Sequence, residues 1–198
     1  MNETEQTTYR LGRWIAEEDW PLWLLLAACF LAGALIYPTL PERIPTHWNI
    51  DGQVDGWGSR GFGVFGVLGI CVAVYLLLLF LPLIDPRRDN YPKFQSVYRV
   101  IRALVVGVFA LLWAVTLAAA RGVAVRIEVV VPAIISVMFI VLGNLMGRLR
   151  YNWFVGIRTP WSLSNEEAWR RTHRASGRIW VLGGLLGLAG SLWGGVTA

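Results

Sequence analysis

Charge is scarce in this sequence, and where it is missing matters more than the total. Acidic and basic residues make up 16% of the 198 positions, against about 25% in a typical soluble protein. Five apolar runs, at about 21–40, 61–84, 103–120, 129–147 and 179–196, contain no Asp, Glu, Lys, Arg or His. Proton relays and most ion-coupled carriers need a charged group inside a span, so bare runs count against both. Cysteine is reduced to Cys29 and Cys71, each inside an apolar run. There they behave as small hydrophobes and say nothing about redox compartment. No CxxC or Cys/His cluster with zinc spacing occurs, and no Ser/His/Asp set, HExxH or phosphate-cradling glycine loop. The expectation is no catalytic residue, no metal and no cofactor. Lysine is down to Lys93, beside seventeen arginines.

What the chain does have is hydrophobic length. Apolar residues make up 56% and mean hydropathy is +0.52. A transmembrane helix needs about 20 residues to cross a hydrocarbon core of ~30 Å. Backbone groups in lipid must be satisfied within the segment, so each run is predicted to be a helix. The fold class is all-α: a polytopic membrane bundle of about five helices, with a short amphipathic interfacial helix near 165–176. Residues 1–20 form a polar N-terminal segment, and 21–198 form one bundle domain. The acidic start does not suit a signal peptide, so the first span is expected to be retained. Residues 12–20 are expected to lie on the surface, with Trp14, Ile15 and Trp20 at the headgroups.

The basic residues are lopsided. Five spans put the N-terminus and loops 85–102 and 148–178 on one side, with fourteen Lys and Arg. Loops 41–60 and 121–128 and the C-terminus share the other side, with Arg43, Arg60, Arg121 and Arg126. The positive-inside rule then predicts a plasma-membrane protein with its N-terminus cytoplasmic and its C-terminus outside. The same bias accounts for the net charge of +5, and no basic module with interleaved aromatics points to nucleic acid.

Two polar stretches remain. The outer loop PERIPTHWNIDGQVDGWGSR is punctuated by prolines, with turns expected at Asp51-Gly52 and Asp55-Gly56. His47, Asn49, Asp51 and Asp55 suit a metal site, a polar pocket for an external ligand, or a set of side chains bonded to their own turns, and the second His or Cys that favours zinc is lacking. The inner stretch runs from Asn144 through Arg148–Arg178. Ser164 and Glu167 fit a capping box, and the helix behind it places Trp169 and His173 at i and i+4, with Thr172 beside them. Trp at headgroup depth with Arg170, Arg171 and Arg174 toward anionic lipid describes an interface helix. A docking platform for a cytoplasmic protein is the other reading. The amide of Asn144 is expected to bond across to another helix. Gly183, Gly187, Ser191 and Gly195 recur every fourth position, suiting close helix approach within the bundle or a homo-oligomer face.

The outer motif, with His47, Trp48, Asn49, Asp51, Asp55 and Trp57, resembles a bacterial domain family described as of unknown function. The inner Gly143-Asn144, Asn152 and Gly156-Ile157-Arg158-Thr159-Pro160-Trp161, followed by Trp169 and Thr172-His173-Arg174, resembles the signature of the SdpI family. That resemblance implies a multi-pass plasma-membrane protein giving immunity to a secreted peptide toxin. It also implies signalling, by docking a cytoplasmic transcriptional repressor at the inner segment. Two other function classes stay open. One is a membrane enzyme or carrier using Asn144, Asn152, Arg158 and His173 in a common cavity. The other is a structural lipid-interacting protein.

Overall fold

The computed structural model describes residues 18–197, with side chains through Trp193. The predicted surface segment with Trp14 and Ile15 lies outside the described residues. Five helices are long and apolar enough to cross a membrane. They are α1 (Trp20–Ile36), α2 (Val67–Ile84), α3 (Gln95–Ala120), α4 (Ile127–Met146) and α5 (Glu166–Thr197). A π-helical turn at Phe62–Gly66 leads into α2, and a 3-10 segment, Arg88–Phe94, leads into α3. Between 17% and 28% of each apolar window is buried, which leaves most of its surface for lipid.

Two core clusters hold α1, α2 and α3 together. At one end Leu40, Ile44, Val64, Leu68, Trp113 and Leu117 pack together, and Trp113 donates from Nε1 to the Val64 carbonyl at 2.9 Å. At the other end the aromatic rings of Tyr75, Tyr91, Phe94 and Tyr98 join Trp169. Helices α4 and α5 pair separately and closely. A Cβ on Gly143 would lie 2.7 Å from the Gly177 carbonyl oxygen, and one on Gly184 2.7 Å from that of Ser136. Of the predicted small-residue face, Gly187 meets the Ser136 hydroxyl, whereas nothing stands within 4 Å of Gly183. Gly177 and Gly184 therefore set the tightest approach. Gly195 lies beyond the described side chains.

Among the described residues the all-α bundle has one β element. Loop 41–60 folds as an antiparallel hairpin, β1 (Arg43–Trp48) and β2 (Val54–Ser59). Asp51-Gly52 is the predicted turn: Asn49 Oδ1 accepts the backbone N–H groups of Asp51 and Gln53, and Gly52 has φ +74°. Asp55-Gly56 is not a turn but part of β2, where Gly56 lies against the His47 Cβ. The hairpin is seated by Ile44, whose Cδ1 would be 1.9 Å from a Cβ on Gly63. Arg60 donates to the carbonyls of Tyr37 and Leu40 and lies over the Tyr37 ring. Gly52 in turn approaches Glu128 at the start of α4, so loops 41–60 and 121–128 share one end of the bundle. Segments 85–94 and 147–165 share the other.

Three local expectations change. The interfacial helix is not a separate element but the first turns of the single helix α5. Its cap is Asn165, whose Oδ1 accepts the Ala168 N–H at 2.8 Å, while Ser164 Oγ bonds back to the Trp161 carbonyl. Glu167 turns forward to Arg170 and Arg171. Asn144 bonds no other helix: its Nδ2 donates to the Ile140 carbonyl one turn back, since Gly143 beside it brings α5 backbone, not a polar side chain, against α4.

Candidate functional site

The platform at residues 147–165 is built from the inside out. Asn152 is fully buried, and every polar position of its amide is used. Its Oδ1 accepts the N–H groups of Phe154 and Val155, and its Nδ2 donates to the carbonyls of Arg150 and Val155. One side chain thus replaces the backbone partners that a loop lacks. Gly156 follows with φ +121°, and a Cβ there would fall 2.4 Å from His173 Nε2. The missing Cβ brings the Ile157 N–H onto His173 Nε2 at 3.0 Å.

Trp169 and His173 share a helix face, as the i, i+4 spacing predicts, but that face points into the protein. Each is 1% exposed. Placement of Trp169 at the lipid headgroups is therefore overturned: its indole Nε1–H donates to the Leu149 carbonyl and its ring packs edge-on to Tyr151. His173 stacks on Trp169 at 4.0 Å, and its Nδ1 donates to the Trp169 carbonyl. With Nδ1 donating and Nε2 accepting, the imidazole is neutral and its tautomer is set by the two backbone groups. His173 stands before the apolar run that begins at Ile179. Burial pushes its pKa below the usual histidine value, partly opposed by the Trp169 carbonyl.

Ser162 closes the loop. Its buried hydroxyl accepts the Thr159 N–H and donates to the Ile157 carbonyl, while Thr159 Oγ1 accepts the Ser162 N–H. The tight clip leaves its middle residues outside. Trp161 is 69% exposed, and Arg158 and Pro160 are exposed beside it. Arg158 makes only a long bond, 3.4 Å, to the Trp153 carbonyl. The motif therefore divides: Gly156, Thr159, Ser162, Trp169 and His173 hold the loop, and Arg158, Pro160 and Trp161 are presented by it. Thr172 is half-buried and Arg174 exposed on α5.

Residues that were not among the sequence-predicted site candidates anchor this platform to the bundle. Asp85 is buried and accepts three donors: the Tyr91 hydroxyl, the Trp153 N–H and the Arg87 N–H. Arg87 lies over the Tyr151 ring at 3.6 Å and donates to its hydroxyl at 2.7 Å. A buried charge pair joins Asp19 to Arg102 through two bonds of 2.8 and 2.9 Å, with the Tyr75 hydroxyl donating to Asp19. Both partners are fully buried. Arg102 borders an apolar run, and that position was the available signal. Its acidic partner, distant in sequence, carried none.

The polar residues do not converge. His173 and Asn152 are consumed by loop hydrogen bonds, Asn144 faces a groove shared with Arg174, and Arg158 points outward. At the opposite end His47 Nδ1 pairs with Asp55 Oδ1 at 2.5 Å across the strands. Trp57 is 53% exposed and Trp48 half-buried. Among the described residues no group of three or more His, Cys, Asp or Glu is placed to hold a metal ion.

Known proteins match both ends. Residues 24–72, which include the hairpin, match a domain of unknown function (DUF1648). Residues 148–198, which include the platform and α5, match the SdpI/YfhL protein family. Immunity protein SdpI of Bacillus subtilis (strain 168) is 23% identical over 163 residues, covering 82% of this chain and 76% of the relative. No solved structure matches. Residues 148–198 thus match the SdpI/YfhL family, most of the chain is similar to a named immunity protein, and five of its helices are long and apolar enough to span a bilayer.

Proposed function

We propose that the protein is a non-catalytic membrane immunity and signalling protein, with the platform facing the cytoplasm and the hairpin facing outward. The observation that carries this is the division of labour in 156–173: an interior devoted to rigidity presents Trp161, Arg158 and Pro160 to water. An exposed tryptophan beside an arginine on a rigid support has the composition of a protein-binding hot spot. A cytoplasmic regulator, such as a transcriptional repressor, is the partner that suits it. The similarity to a named immunity protein supports the protective role. The arginine bias supports the orientation. On the outer face, the braced hairpin with its His47–Asp55 pair and exposed Trp57 is the surface for a secreted peptide toxin.

The test is expression in a toxin-sensitive strain. The native chain should protect, and Trp57→Ala should reduce protection while leaving the protein inserted at its normal level. Trp161→Ala and Arg158→Ala should abolish capture of the regulator from the membrane fraction without lowering thermal stability. Protection by none of the cognate peptides, from a correctly inserted protein, would overturn the immunity reading.

A further inference from the structure

Beside the platform, where α4 and α5 leave the bundle end, lies a groove of about 530 Å³ lined by Asn144, Gly147, Arg174, Arg178, Val181 and Leu182. Its origin is local. Gly143 and Gly177 bring the two helices into backbone contact, and Gly147, one turn beyond Gly143, puts no side chain opposite Arg174. The close approach thus opens into a groove between the two helices.

The lining changes character along the slot. Arg174 and Arg178 are one helical turn apart, about 6 Å along the axis, and both face it. One turn further in, Val181 and Leu182 make it apolar. Arg178 is the last charged residue before the apolar run, so the slot crosses from headgroup depth into hydrocarbon. The two arginines are also uncommitted. Arg170 and Arg171 share the carboxylate of Glu167 on the same helix, whereas among the described residues Arg174 and Arg178 form no ion pair. Asn144 spends one amide proton on the Ile140 carbonyl, and its second remains available on the groove wall.

We propose that this groove is a binding site for one anionic phospholipid. The phosphate is held by Arg174 and Arg178, assisted by Asn144, and an acyl chain lies along Val181 and Leu182. Guanidinium forks match phosphate oxygens geometrically, and two cations that form no ion pair among the described residues, at headgroup depth, select against a lipid that brings its own ammonium group. The reading is independent of any toxin or regulator. A site shared by the membrane and the platform would couple the position of α5, and through His173 the loop, to the lipid around the protein.

The experiment uses the purified full chain in mild detergent, with native mass spectrometry counting bound phosphatidylglycerol against phosphatidylcholine. The native chain should retain one phosphatidylglycerol. Arg174→Gln with Arg178→Gln should weaken retention roughly 30-fold, the effect expected for two arginines near an anionic headgroup. Arg170→Gln with Arg171→Gln removes the same charge away from the groove and should leave retention nearly unchanged. Equal weakening in both pairs would reduce the effect to diffuse charge and overturn the site. So would equal retention of the two lipids. Competition by inorganic phosphate at the same concentration would also overturn it, since a lipid site gains from its acyl chain. If the double variant does not fold, Arg178→Lys is read instead: it keeps the charge, loses the fork and should weaken retention, and unchanged retention counts against the site.

Discussion

The imidazole Nε2 of His173 accepts the backbone N–H of Ile157 at 3.0 Å. Sixteen residues apart in sequence, the two are in contact because Gly156 between them and the ring has no side chain. This bond pins the presented residues, Arg158 to Trp161, to a helix that continues across the membrane.

The bond exists only while His173 is neutral. Burial lowers its pKa in the folded protein, so the unfolded chain takes up the proton first. Stability should be complete above about pH 6.5, the ordinary histidine value, and decline as pH falls through it. Thermal unfolding in detergent from pH 8 to 5 checks this. His173→Phe keeps the stack on Trp169, removes the titrating group and should flatten the profile, at a cost on the order of 2 kcal/mol for the unmet Ile157 donor. His47→Gln should leave the slope in place; equal slopes for the native chain and His173→Phe would exclude this account.

Gly156→Ala should be among the most damaging single changes in the loop. It places a side chain at a φ of +121° and drives its Cβ to 2.4 Å from His173 Nε2. Strain of this kind costs on the order of 1–3 kcal/mol, with overpacking adding a similar amount. Gly183→Ala, with nothing within 4 Å, should be close to neutral. Unfolding midpoints of the two variants decide it.

The buried pair of Asp19 and Arg102 should behave as a coupled unit. Arg102→Met alone leaves a buried carboxylate and should cost about 3–5 kcal/mol. Asp19→Asn with Arg102→Met should recover part of that loss. A double-mutant cycle on unfolding free energies gives the coupling, and strict additivity would show that the two charges do not depend on each other.

The orientation is open to a labelling experiment. In a background with Cys29→Ala and Cys71→Ala, Ile50→Cys at the hairpin turn and Glu166→Cys at the start of α5 should react from opposite sides. Ile50 is 95% exposed and Glu166 exposed. An impermeant thiol reagent on intact cells should reach position 50 and not position 166. Reaction at 166 alone would invert the topology.

Much of the candidate site was legible as residues but not as roles. The i, i+4 spacing of Trp169 and His173 correctly placed them on one face. It could not say which way that face points, because an amphipathic pattern next to a membrane suits lipid or protein equally. Ser164 and Asn165 are both good cap residues, and a one-residue difference in where the helix starts decided for Asn165. The hairpin was hidden because its strands are short and broken by Pro45, Gly56 and Gly58, and its seat depends on Gly63 in another element.

The sequence by itself determined the five spans, because uncharged runs of this length have no other stable state in lipid. It also determined which loops share a bundle end, since that follows from counting crossings. Only the tertiary structure decided what each polar residue does. Asp19 finds Arg102, Asp85 finds Trp153, and His173 finds Ile157 across long separations. Burial makes each of those groups require a partner, and chain geometry, which no local pattern encodes, supplies it.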